Sequence, residues 1–163
     1  MRIAALAAAA AISALATAAS AAPATVDVSI APPLMEKAER TYGVRDVHDL
    51  AAELKQDVER ELARTGAYDG ARIELVLADA APTRPTFKQL GDRPGLSMRS
   101  ISLGGAEIAG RVIAADGREA PVHYRYYEND LRNAYGETTW SHADQALSLF
   151  AHRFARGQAV ASR

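Results

Sequence analysis

Glu107-Ile108-Ala109-Gly110-Arg111-Val112-Ile113-Ala114-Ala115-Asp116-Gly117-Arg118-Glu119-Ala120-Pro121-Val122-His123-Tyr124-Arg125 reads as two strands around a turn. The parity of its apolar residues decides how they pair. A two-residue loop at Asp116-Gly117 sets Ile108 against Arg125 and Val112 against Pro121, so apolar and charged side chains share a face. A three-residue loop, Ala115 to Gly117, pairs Ile108 with Tyr124, Gly110 with Val122 and Val112 with Ala120. Glu107 then meets Arg125 on the opposite face. Side-chain direction has period two, so only an odd loop keeps the apolar set together. The expectation is a bulged hairpin with Gly117 at positive φ and Pro121, which has no N–H to donate, at an unpaired edge position.

Upstream, Met98 to Leu103 reads as a third strand, broken or bulged at Gly104-Gly105. It either continues into Ala106–Ala114 or stands apart from it. Residues 87–96 look irregular, and Ala81 to Thr86 is a proline-rich connection. Ile73, Leu75 and Leu77 alternate with Arg72, Glu74 and Val76, a strand pattern. Residues 46–65 form the clearest helix. Val47, Leu50, Ala51, Leu54, Val58 and Leu62 make one stripe at spacings of three and four. Asp46 is the expected cap and Gly66 the stop. Its charged residues read as a solvated face. Val26, Val28 and Ile30 alternate in an earlier strand, stopped by Pro32-Pro33. Residues 34–45 stay ambiguous, with a helical turn ending at Gly43 as one reading.

Downstream, 128–140 is a polar connection. A last helix over 141–156 has Ser141 and Asp144 as its capping pair and Ala143, Leu147, Phe150, Ala151 and Phe154 as its apolar stripe. Gly157 ends it. The fold class expected is α+β: a two-layer sandwich of three to five mostly antiparallel strands, with two helices on one face. One domain should span 23–157, followed by a frayed tail at 158–163.

The first residues have a different character. Arg2 is the only charge before Asp27, and Ile3, Leu6, Ile12 and Leu15 sit among alanines. A positive start, an apolar centre and the small residues Ser20-Ala21-Ala22 read as a signal peptide over 1–22, cut between Ala22 and Pro23. After such a cut no membrane anchor is expected. The 163 residues carry 19 Lys and Arg against 20 Asp and Glu, with no cysteine. A balance slightly on the acidic side disfavours nucleic acid and anionic membranes as partners. The absence of cysteine excludes disulfides, thiol catalysis and a lipidated N-terminal cysteine.

Signatures of chemistry are few. His48, His123, His142 and His152 have no i, i+4 partner, and all four read as surface histidines. Gly95-Leu96-Ser97-Met98-Arg99 lacks the second glycine of a nucleophile elbow. Gly104-Gly105 and Gly110 sit in strand context and read as a bulge and close packing. Glu128 and Asp130 could support acid–base work but show no third group to orient them. Neither a cofactor, a metal nor a catalytic residue is expected. Tyr124, Tyr126, Tyr127, Tyr135 and Trp140 crowd together with Arg125 and Arg132 between them. Two readings stay open. Tyr124 and Tyr126 pack under a helix with Tyr127 on the other face, or Arg125, Tyr127, Arg132, Tyr135 and Trp140 form an interaction surface, since such residues favour binding sites.

The order of elements carries a resemblance. Pro32-Pro33-Leu34-Met35 leads to an Asp-capped helix ending Glu61-Leu62-Ala63-Arg64-Thr65-Gly66, and a strand ends Leu77-Ala78-Asp79-Ala80-Ala81-Pro82. Gly110 to Arg118 and a Phe-rich helix follow. This arrangement resembles a broad set of uncharacterised envelope proteins of Gram-negative bacteria, many of them lipoproteins, similar to accessory domains of envelope secretion and transport systems. The chain departs from them in lacking a lipidation cysteine. Export, the missing catalytic signatures and the aromatic strand lead to the expectation of a periplasmic or secreted, non-enzymatic domain that binds another envelope protein or itself. The alternative expectation is a small enzyme or ligand-binding domain with His123, Glu107 and Arg125 gathered on the outward sheet face.

Overall fold

The computed structural model describes residues 22–158. Residues 1–21 of the segment expected to be a signal peptide, and residues 159–163 of the expected tail, lie outside the described residues. Four strands, β1 (Thr25–Ile30), β2 (Arg72–Ala81), β3 (Gly105–Ile113) and β4 (Glu119–Tyr127), form one sheet in chain order. The β1–β2 pair is parallel, and β2–β3 and β3–β4 are antiparallel. Helices α1 (Pro32–Lys37), α2 (Val44–Thr65), α3 (Phe87–Asp92) and α4 (Ser141–Phe154) complete the chain with a π-turn at Ala38–Tyr42 and a 3-10 turn at Leu131–Ala134. Helix α2 lies over β1, α4 lies over β3 and β4, and the two pack side by side. This is the expected two-layer α+β sandwich.

The hairpin has the three-residue loop. Ile108 meets Tyr124, Gly110 meets Val122 and Val112 meets Ala120. Gly117 has φ 83°, and the Ala114 N–H donates to the Arg118 carbonyl at 2.9 Å. That bond makes the even-numbered partners the hydrogen-bonded pairs, so the Pro121 nitrogen faces the open edge. Between the layers lie Leu54, Val58, Ile73, Leu75, Leu77, Ile108, Leu147, Phe150 and Phe154, each at most 2% exposed. The stripes of α2 and α4 follow from i, i+3, i+4 spacing against a pleated face.

Four expectations need correction. Met98 to Leu103 is not a strand: β3 starts at Gly105, and Ser102 is bound to the proline-rich connection instead. Residues 87–92 are a helix, started by a reciprocal capping box between Thr86 and Gln89. Asp46 does not cap α2: Gly43 holds that position at φ 107°, and Asp46 sits inside the first turn. Ser141 does not cap α4 either, because Trp140 is the preceding residue and makes no side-chain cap. The fully buried Thr83 serves that end from afar, its Oγ1 accepting the His142 N–H at 3.3 Å. A long-range hydroxyl thus replaces the local cap.

One more local feature positions the site. Between Leu77, opposite Ile108, and Asp79, opposite Glu107, the register shifts by one residue. This bulge at Ala78 lets Leu77 and Ala80 both face the core and sends Asp79 to the outer face.

Candidate functional site

Among the described residues no helix lies across the outer face of the sheet, and its charges form a connected row. Glu107 and Arg125 are register partners, with His123 one step along β4 on the same side. Glu107 Oε1 lies 3.0 Å from His123 Nε2, and Glu107 Oε2 lies 3.9 Å from Arg125 Nε. The Arg125 guanidinium sits over the Tyr127 ring, 5.1 Å from its centre. The Tyr127 hydroxyl donates to Asp79 Oδ2 at 2.9 Å, and Lys37 Nζ donates to Asp79 Oδ1 at 2.7 Å. Burial, and then the bond to Asp79, push the Tyr127 phenol well up, and the same carboxylate raises Lys37. Both stay protonated at neutral pH, as donors. Toward the hairpin, Arg111 bridges Glu74 and Glu119 at 2.8 and 3.2 Å.

The surface is broad and mixed in charge. Glu107, His123 and Arg125 do come together, as the register requires, but on an open strand face and not around a concavity. Clefts lined by Asp144, by Asp57 and by His142 lie beside the helices. Among the described residues no three His, Asp or Glu side chains are arranged to hold a metal ion.

The aromatic cluster divides. Tyr124 is buried against Phe150, Tyr126 is half-buried below it, and Tyr127 stands on the outer face. Arg125 and Tyr127 are neighbours there. Arg132 and Tyr135 belong to the β4–α4 connection, where Arg132 chelates Asp130 and Tyr135 is 72% exposed. Trp140 belongs to the helical layer: its Nε1 donates to Asp46 at 3.2 Å, and its ring meets Tyr42 edge-on.

His142 is not a surface residue. It is 3% exposed, and its Nδ1 is shielded from solvent with no hydrogen-bond partner among the described residues. It borders a polar cleft with Glu128, Glu137 and Gln145. The Glu128 carboxyl is held below its usual range, chiefly by the N–H groups of Asp130 and Asn129. The i−1, i+1 pattern of Ala143 and Ser141 gives no hint of this burial; it comes from Thr83 drawing in the start of α4. Arg84 ties the same region together, donating to the carbonyls of Met98, Ala134 and Glu137. Comparison with protein-family models finds no match to this chain, and comparison with curated proteins finds none either.

Proposed function

We propose that the chain is a non-enzymatic interaction domain of the cell envelope, exported by residues 1–22, that binds another envelope protein or itself through the uncovered face of its sheet. One observation carries this reading. Glu107, His123, Arg125, Tyr127, Asp79 and Lys37 form a continuous surface row without an enclosed space for a reaction. Planar arginine and tyrosine groups, already held in place by neighbours, lose little entropy when a partner covers them. Alternating signs along the row favour a partner of matched charge pattern and set its register.

The test is a pull-down from an envelope fraction with the chain that begins at Pro23, under mild crosslinking. The wild type should recover a partner or crosslink to itself. The double variant His123→Ala, Arg125→Ala should lose that product while its melting temperature stays within a few degrees, since both side chains are exposed and their contacts with Glu107 are surface pairs. Recovery of no product, or an unchanged product with the double variant, would count against the outer face.

A further inference from the structure

The other layer carries a second surface. Asp46, Asp49, Glu53 and Asp57 stand at i, i+3, i+7 and i+11 on α2. That spacing keeps them on one side of the helix over about 16 Å. Asp144, in the first turn of α4, faces them across the seam. Asp57 is answered by Arg60 within its own helix, and Asp49 only by Arg45 at 3.8 Å, both ends exposed. Glu53 and Asp144 make no ion pair among the described residues. Burial and neighbouring carboxylates push both upward, Asp144 to about 6.

A cleft of about 390 Å³ opens over this stripe, lined by Asp46, Asp49, Glu53, Asp144, Trp140 and Phe87 among others. Among the described residues no basic side chain lines it. It shares Asp49 and Glu53 with a second cleft that runs on to Asp57 and Arg60, so the concavity is long. Phe87 is 86% exposed at its lip, held there by the capping box of α3. Trp140 forms the facing wall, braced by Tyr42 with ring centres 5.8 Å apart. An exposed phenyl and an indole beside unneutralised carboxylates suit an organic cation, which gains from both charge and ring faces. The carboxylates are not arranged for a metal ion.

We infer that the α2–α4 seam is a docking groove for an extended arginine- or lysine-bearing segment of a partner protein, with one basic side chain seated between Trp140, Phe87 and Asp144. Charge complementarity selects the side chain, and the length of the stripe selects a chain over a compact ion. The groove is independent of the outer-face reading, because the sheet separates the two surfaces.

Trp140 is the chain's single tryptophan, so its fluorescence reports on this groove alone. The chain from Pro23 is titrated at low ionic strength with a short blocked alanine–arginine peptide, its alanine–glutamate counterpart, and spermidine. The arginine peptide should shift the emission saturably and lose affinity as salt rises. The glutamate peptide should do nothing. The pair Glu53→Gln, Asp144→Asn should weaken binding about tenfold, as should Phe87→Ala. Asp69→Asn, which removes an exposed acid outside the groove, should leave it unchanged. Circular-dichroism melting shows that each variant folds, and Asp144→Asn should melt higher than wild type. No saturable change with the arginine peptide, equal weakening by Asp69→Asn, or spermidine binding as tightly as the peptide would each overturn the assignment.

Discussion

Asp144 is held where its charge is disfavoured. Partial burial is the first cause, and the carboxylates of Glu53 and Asp57 add to it, so the group titrates at about 6 in the fold. In an unfolded chain an aspartate titrates at about 3.9. The folded state therefore binds the extra proton between about pH 4 and 6. This contribution to stability is full below about pH 4 and is lost as pH rises through about 6. Asp144→Asn keeps the shape and removes the charge. At neutral pH it should stabilise the chain by about 1 kcal/mol, after allowance for solvent screening of a partly exposed group. It should also flatten the fall in melting temperature over that same acid window. A melting series in matched buffers checks this, and an unchanged slope would refute it. Glu61 acts in the opposite sense: Arg64, His152 and Arg156 hold it down, so its contribution is lost on acidification.

At the scale of elements, the hairpin separates two kinds of glycine. Gly117 lies at φ 83° with open space where a Cβ would stand, so Gly117→Ala meets only backbone strain and should cost about 1 kcal/mol. Gly110 is different. A Cβ there would lie 2.2 Å from the Glu74 carbonyl oxygen and 3.0 Å from the Leu75 Cα, both backbone atoms of β2. Gly110→Ala has to push β2 and β3 apart and should cost more than about 3 kcal/mol. Urea midpoints of the two variants should differ accordingly, and equal midpoints would mean that β2 and β3 do not approach so closely. The loop length was legible because parity is a local property of Ile108, Gly110, Val112, Val122 and Tyr124. The apolar stripes of α2 and α4 were legible for the same reason. Met98 to Leu103 misled because nothing local shows that Ser102 bonds to Pro82 and Thr83, twenty residues back. His142 and the start of α4 depend on Thr83, and no spacing rule reaches that far along the chain. The carboxylate stripe could be read from α2 alone, but not the arrival of Asp144 and Phe87 beside it.

Across the whole molecule the strand order follows the chain, and the sheet ends in two edges of different character. Pro121 and the charges of β4 guard one edge against further pairing. The other edge is β1, whose six residues run parallel to β2 from Thr25 opposite Arg72 to Ile30 opposite Leu77. That pairing closes a long loop through α2, so β1 has no local support and depends on the finished core. It supports the core in return: Val26 is 4% exposed, and α2 packs across β1. Ala22 accepts one hydrogen bond from Gly70, at 2.6 Å, and Ala22 and Pro23 are exposed. Losing the Ala22 acceptor should therefore cost no more than about 1 kcal/mol, because water replaces it. Removing residues 1–30 strips the ladder, uncovers the underside of α2 and turns β2 into a bare edge rich in Leu, Ile and Val. The chain from Pro23 should melt cooperatively, while the chain from Ala31 should lose the cooperative transition and aggregate through β2. Circular-dichroism melting with light scattering on both chains checks this. A cooperative, monomeric melt of the shorter chain at the same temperature would show that β1 is an appendage of a three-stranded fold, and that processing well beyond Ala22 is compatible with a folded product.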